Sequence, residues 1–249
     1  MSRITLVRNA SALCAAVAIA SLMSVGATSA APLFSLSSPD AGNLNLPAGP
    51  TGFNPAVSGP VAALMVSDGV GIGTSITLYN PSTPNGGLFI TSQNVNVTFQ
   101  FLGAEAGFNN QTWQVGSPDS ILFTNFSATS GDVSGPVAVN ALAAVPFFFR
   151  SNGGNGGSDD AVNGGPIDLN LTLGLKIISD SVAYAFFDDG GGSPIDADFD
   201  DVVIRITAIS QGGPELTPLP AALPLFASGL AGMGWLRWRR KRKTAKAFA

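Results

Sequence analysis

Alternation of apolar and polar residues dominates the middle of the chain. Between residues 95 and 101, two valines and two phenylalanines are each separated by one polar residue, and a second alternation of Leu and Ile runs from 169 to 177. Successive side chains of a strand point to opposite faces of its sheet, so a period of two predicts a half-buried strand. Both stretches are therefore expected to be β-strands with one face in a core.

Shorter apolar runs, bounded by Gly, Pro, Asn and Asp, predict further strands. They lie at 61–66, 75–79, 88–90, 112–115, 120–125, 137–139, 145–150, 182–187 and 202–209. No sequence stretch between Pro32 and Gly213 combines a sustained helical period with capping residues. The expected fold is all-β, a single jelly-roll-like β-sandwich.

The first 30 residues have the pattern of a secretory signal peptide. Arg3 and Arg8 precede an apolar stretch over 10–26, and Thr28-Ser29-Ala30 offers small residues for cleavage. A positive start, a short apolar core and a small-residue site are the features of such signals. We expect a signal helix that directs export across the inner membrane, with a second membrane anchor as the alternative.

A second apolar run, followed by a basic cluster, lies near the other end of the sequence. Residues 222–236 carry no charge, and six cations follow directly. A helix of about 20 apolar residues spans the hydrocarbon core of a bilayer, and clustered Lys and Arg keep their side in the cytoplasm. The pattern predicts a transmembrane helix at 222–238 and a basic cytoplasmic tail at 239–249. The membrane-stop residues are Arg237, Arg239, Arg240, Lys241, Arg242 and Lys243.

A short Pro-containing motif, Thr217, Pro218, Leu219, Pro220 and Ala221, lies directly before this span. With the apolar run and the basic end, it resembles the PEP-CTERM class of bacterial sorting tails in its VPLPA variant, with Thr217 where Val is usual. The resemblance implies export by the Sec machinery and handling by exosortase, a membrane-embedded cysteine transpeptidase. It further implies anchoring in the membrane at least transiently, then a place at the cell surface or in an extracellular matrix of biofilm and exopolysaccharide.

These features divide the chain into six segments. The signal peptide at 1–30 is followed by a Pro-, Gly- and Ser-rich stretch at 31–60, which we expect to be a flexible lead-in. The β-sandwich ectodomain covers 61–213. A linker with the sorting motif occupies 214–221, before the transmembrane helix and the tail.

Charge and the absent residue types narrow the function classes. The stretch from Asp40 to Glu215 holds all sixteen acidic residues against three basic ones, a net formal charge of −13. Such a surface disfavours nucleic acid as a partner. The chain has no His, and its one Cys lies inside the signal peptide. Nucleophile–His catalysis, zinc sites with His or Cys ligands and disulfides are therefore excluded after processing, and we expect a protein that is not an enzyme.

Six aspartates flank one Gly-rich loop between two predicted strands, and they form the candidate metal site. They are Asp188, Asp189, Asp196, Asp198, Asp200 and Asp201. Converging carboxylates repel one another unless a cation neutralises them, and Ca²⁺ prefers six to eight oxygen ligands. The alternative is that Asp188 and Asp201 cap turns while the other carboxylates are solvated.

The same loop resembles a D-x-D-F/Y-N/D-D pattern near the end of many secreted bacterial β-domains of unassigned function. The segment from Leu102 to Asn110 resembles another segment of such proteins. If the two segments converge, Glu105 joins the calcium ligands; otherwise it bonds only nearby backbone.

Two functions remain open on the sequence, and one is disfavoured. The first is a structural or adhesive protein of the cell surface or matrix. The second is a calcium-dependent carbohydrate-binding module, with Trp113 and Tyr79 as a sugar-stacking platform or, alternatively, as core residues. A glycosidase needs two opposed acids at a fixed separation, whereas the acids here cluster in one loop, where a cation better relieves their repulsion.

Overall fold

The computed structural model describes most of the central part of the chain. The described residues are 31–37, 42–48, 52–83, 85–105, 107–152, 158–190 and 197–211. From Leu33 onward, the described residues belong to one compact unit. The predicted signal peptide at 1–30 and everything from 212 onward lie outside the described residues.

Thirteen strands and one helix form the described part of the chain. In chain order they are β1 (Phe34–Ser37), β2 (Asn43–Asn45), α1 (Gly59–Ser67), β3 (Ser75–Tyr79), β4 (Gly87–Ile90), β5 (Val95–Gly103), β6 (Asn110–Gln114), β7 (Ser120–Thr124), β8 (Val137–Val139), β9 (Phe147–Ser151), β10 (Asp159–Val162), β11 (Thr172–Ser179), β12 (Val182–Asp188) and β13 (Val202–Ser210). Far more of the described residues lie in strands than in the helix, which confirms the all-β prediction.

The strands form three antiparallel sheets. The largest has seven strands in the order β2-β3-β11-β12-β13-β5-β8, the second has four in the order β10-β9-β6-β7, and β1 pairs with β4. In β5, the residues Val95, Val97, Phe99 and Phe101 are all buried, as their alternation predicts. In the stretch 169–177, the strand begins only at Thr172, after Asn170 with a positive φ of 70°.

The two larger sheets share one hydrophobic core. Aromatic rings make the contacts between them. The Phe149 ring of β9 stacks on the Phe187 ring of β12 with centroids 5.1 Å apart, and the rings of Phe99 and Phe147 meet edge to face at 5.9 Å. Such aromatic pairs bury a large apolar area and add a preferred geometry, so they fix how the sheets pack.

The helix α1 covers the opposite face of the seven-stranded sheet and corrects the strand expected at 61–66. Val61 and Met65 are buried in a second core with Tyr184, Phe186 and Val203. The apolar residues at 61 and 65 are four positions apart, which is a helical spacing, and the Ala-Ala-Leu segment between them has high helix propensity. A Pro in the first turn also suits a helix start.

The segment at 31–60, expected to be a flexible lead-in, differs from that expectation where the structure describes it. Strand β1 pairs with β4, and β2 pairs with β3 at the edge of the large sheet. Leu46 and Phe53 are buried in the second core. A few widely spaced apolar residues are enough to hold this Pro- and Gly-rich segment, because each one enters a core that other elements form.

Asp68 anchors the end of α1 to the sheet below. Its carboxylate accepts hydrogen bonds from Arg205 Nε at 2.9 Å and from the Tyr184 hydroxyl at 2.8 Å. Burial raises the pKa of the Tyr184 hydroxyl, and its bond to Asp68 adds to this shift. The ion pair is one of two among the described residues.

Replacing Asp68 with Ala is expected to lower the free energy of unfolding by about 2 kcal/mol. A fully buried donor on Tyr184 and a largely buried one on Arg205 lose their shared acceptor, and a buried unpaired donor costs about 1–3 kcal/mol. Urea denaturation measures the change. The matched control is Asp180→Ala, which removes an exposed carboxylate from the β11–β12 turn. Equal midpoints for the two variants would contradict the anchoring role.

Candidate functional site

The acidic side chains meet because β12 and β13 are antiparallel neighbours. Phe187 near the end of β12 pairs with Val202 at the start of β13. The aspartates that leave β12 and those that enter β13 therefore lie at the same end of the sheet. Glu105 follows β5, the other neighbour of β13, and its backbone N–H donates to the Asp200 carbonyl at 2.9 Å.

We call this group the acidic end. It consists of the side chains of Asp188, Asp189, Asp198, Asp200, Asp201 and Glu105. Of the predicted ligands, Asp196 lies outside the described residues. The loop and the Glu105 segment, predicted separately, thus lie together in the fold.

Burial distinguishes this group from an ordinary acidic turn. Asp200 is 1% exposed, and Asp188, Asp189 and Asp198 are each below 9%. Glu105 remains exposed. Carboxylates are almost never this buried unless they are paired. The alternative of simply solvated carboxylates therefore does not describe Asp189, Asp198 and Asp200.

Backbone N–H groups satisfy part of the acidic end. The Asp189 N–H donates to Asp201 Oδ2 at 2.6 Å, and the Gly190 N–H donates to Asp188 Oδ1 at 2.9 Å. These are the turn bonds expected of Asp residues in loops. The Asn54 N–H donates to Asp200 Oδ2 from the segment before α1. Asp200 thus faces that segment, on the side of the sheet that α1 covers.

Two carboxyl groups hold their protons unusually tightly. Burial raises the pKa of Asp200 to about 7; the Asn54 N–H opposes the shift, while Asp198 and Glu105 add to it. Burial raises the pKa of Asp201 to about 9, and repulsion from Asp189 adds to the shift. Both shifts express the cost of burying a negative charge, increased by repulsion from neighbouring carboxylates.

Asn110 joins the acidic end from the other sheet, and the sequence prediction missed it. It is the first residue of β6, it is fully buried, and its Nδ2 donates to Asp189 Oδ2 at 2.8 Å. A neutral amide at the start of a strand carries no sequence signal for this role. Only its place in the segment from Leu102 to Asn110 drew attention to it.

The carboxylates do not surround a common point. Among the described residues, no group of three or more acidic side chains is arranged so that it could hold a metal ion. Asp189 lies toward Asn110 and β6, whereas Asp200 lies toward Asn54. A cation held by the whole predicted set therefore stays a prediction, and the two sides of the acidic end must be considered separately.

The two residues predicted to form a sugar-stacking platform, Tyr79 and Trp113, differ in burial and location. Tyr79 is fully buried in the main core, and burial raises the pKa of its hydroxyl to about 12. Trp113 is half-buried and stacks on Phe148 with ring centroids 5.7 Å apart. The Arg150 guanidinium lies 4.8 Å from the Trp113 centroid and is paired with Asp160. Tyr79 is thus a core residue, and Trp113 belongs to a different surface.

The sorting motif 217–221 and the basic residues 237–243 lie outside the described residues. Within the part of the chain that the structure describes, the one helix has nine residues, and none there is long and apolar enough to cross a membrane.

The class that the fold and site define is an all-β protein with a buried acidic end. Comparisons of the chain with protein-family models, with curated proteins and with solved structures found no match.

Without divalent cations, the free energy of unfolding is expected to fall as the pH rises from about 4 to about 9. Asp200 and Asp201 have folded-state pKa values above the unfolded value of 3.8, so in this window the folded state binds more protons. The loss is at most about 1.4 kcal/mol per pH unit for each group and ends as the pH passes the folded-state pKa. Urea denaturation across this range, with chelator present, measures it.

Asp200→Asn tests the assignment to one residue. The Asn side chain keeps an acceptor for the Asn54 N–H but has no proton to lose. The variant should gain stability over the parent protein progressively up to about pH 7, and the gain should then stay constant. Asp180→Asn, in an exposed turn, should show no such trend. A gain that does not vary with pH would refute the raised pKa of Asp200.

Proposed function

We propose that this chain is an exported bacterial protein that is sorted by its C-terminal segment to the cell surface or extracellular matrix, where it serves a structural or adhesive role. The single observation that carries the proposal is the ordered sequence of Pro-containing motif, apolar run and basic cluster over 217–243. Its partners are the Sec machinery, exosortase and the membrane, with exopolysaccharide as the matrix component.

The physical character of the chain supports this proposal. The run at 222–236 is uncharged, and the six cations after it favour the cytoplasmic side. The acidic surface between Asp40 and Glu215 keeps an exported domain soluble and self-repelling. The core contains no disulfide, because the only Cys lies in the proposed signal peptide. We assign no catalytic role.

We also propose that the two packed sheets form one jelly-roll-like sandwich. Supporting this, neighbours such as β13 and β5 are far apart in the sequence, as in Greek-key connections.

Changing the sorting motif alone should stop the protein in the inner membrane. The variant replaces Pro218, Leu219 and Pro220 with Ala and keeps the apolar run and the basic cluster, so insertion is retained while recognition is lost. Cell fractionation and immunoblotting measure the distribution and the size of the product. Truncation after residue 216 is the control, and it should release the protein to the medium. Surface delivery of the Ala variant at the normal level would refute a role for the motif.

A calcium-dependent carbohydrate-binding module is the second candidate, and the outer face of the four-stranded sheet favours it. Trp113 of β6 and Phe148 of β9 stand side by side there with their ring planes 13° apart. Gln111 Oε1 accepts from Trp113 Nε1 and from Asn152 Nδ2, each at 2.9 Å. The partly exposed Trp113 ring, backed by the buried Phe148 and next to amide side chains, matches the mixture of apolar and hydrogen-bonding groups that sugars present.

Trp113→Ala should weaken binding to purified exopolysaccharide by about tenfold, a loss of about 1.4 kcal/mol. Phe126→Ala is the matched control, because Phe126 is an aromatic residue that is 66% exposed. Pull-down assays with calcium and with chelator measure binding and its calcium dependence. Retained binding by Trp113→Ala, or equal loss in both variants, would remove this candidate.

A further inference from the structure

At the acidic end, a buried hydrogen bond between side chains joins the two larger sheets. Asp189 follows β12 of the seven-stranded sheet, and Asn110 begins β6 of the four-stranded sheet. Their 2.8 Å bond joins the sheets through two side chains that are both more than nine-tenths buried. Asp201 is linked to the same point, since its carboxylate accepts the Asp189 N–H.

Only one of the two polar atoms of the Asn110 side chain has a hydrogen-bond partner within the described ranges. Its Nδ2 donates to Asp189, but its Oδ1 is buried and has no hydrogen-bond partner in the described part of the chain. Among the described residues, Asn163 is the other deeply buried asparagine, and both its amide oxygen and its amide nitrogen have partners. Asn163 Oδ1 accepts the Leu88 N–H at 2.7 Å, and its Nδ2 donates to the Leu88 and Val145 carbonyls.

A buried carbonyl oxygen without a hydrogen-bond partner costs stability. The groups around Asn110 indicate which kind of ligand could satisfy its Oδ1. The neighbouring side chains, Asp189 and Asp201, offer oxygens. Thr112, two residues along the same face of β6, has a second buried oxygen without a partner among the described residues. A cation could bind the carboxylate oxygens and the unpartnered Asn110 Oδ1 together once the amide is turned. Ca²⁺ takes carboxylate, amide and hydroxyl oxygens together in irregular geometry.

We propose that a Ca²⁺ ion binds between Asp189 and Asn110, with Asp201 as the second carboxylate, and that it joins the two sheets. Rotation of the Asn110 amide by 180° exchanges Oδ1 with Nδ2 and turns the unpartnered oxygen toward Asp189. Without the ion, the Asn110 side chain donates a hydrogen bond to Asp189 through Nδ2. With the ion, the same side chain binds calcium through Oδ1. This site needs fewer than three carboxylates; water and backbone carbonyls supply the other ligands. It does not depend on how the chain is sorted.

Calorimetric titration of the full chain with CaCl₂, after chelator treatment, tests the proposal. We expect one ion per chain with a dissociation constant of about 10⁻⁴–10⁻³ M, the range of extracellular calcium modules. Asn110→Ala and Asp189→Asn should each weaken binding at least tenfold. Asp180→Asn, in an exposed turn, should bind as the parent protein does. Absence of binding, or parental affinity in Asn110→Ala, would overturn the proposal.

A matched pair of substitutions keeps the test decisive if Asn110→Ala folds poorly. Asn110→Asp and Asn163→Asp make the same chemical change at two buried sites, and thermal melts are recorded with calcium and with chelator. Calcium should raise the melting temperature of Asn110→Asp by more than that of the parent, because the added carboxylate is a ligand. The shift of Asn163→Asp should not exceed the parental one. Equal shifts in both variants, or none, would overturn the proposal.

Discussion

The seven-stranded sheet is covered on both faces, and the rest of the structure depends on this burial. In β12, Ala183, Ala185 and Phe187 face the four-stranded sheet, while Tyr184 and Phe186 face α1. A strand enclosed on both sides loses its contact with water, so its ends are the first points where charge is tolerated. The aspartates therefore collect at the end of β12 and at the start of β13, and they are still largely enclosed there.

Because these aspartates are enclosed, several carboxylates lie close together with little water to screen their repulsion. Backbone N–H groups of Gly190, Asp189 and Asn54 neutralise some of the carboxylate oxygens, and raised pKa values at Asp200 and Asp201 neutralise others by holding protons. A cation serves the same purpose without protons. The two ion pairs of the described residues, Arg150–Asp160 and Arg205–Asp68, lie elsewhere. Two of the three cations between Asp40 and Glu215, Arg150 and Arg205, thus fix β9 to β10 and α1 to the sheet.

The proposed functions place different demands on different surfaces. Sorting depends on the sequence over 217–243 and needs nothing from the acidic end. Glycan binding would use the outer face of the four-stranded sheet around Trp113. An ion at Asp189 and Asn110 would hold the sheets together and stabilise the domain in either role. Each surface is therefore open to substitution without disturbing the others.

The sequence by itself determined the all-β class and most strand positions, because a period of two records which face of a strand is buried. It also located the acidic loop and named Glu105 as a residue that could join it, a question that the structure answered. It failed at α1, where the six-residue apolar run at 61–66 carries too few turns to separate helix from strand, and at β1 and β2, whose pairing partners are distant in the chain. It also missed β10, a four-residue strand that pairs with the neighbouring β9. Only the tertiary structure decided that the aspartates are buried and that Asn110 faces Asp189. Such contacts depend on which strands become neighbours and on how two sheets pack, and no local pattern encodes either one.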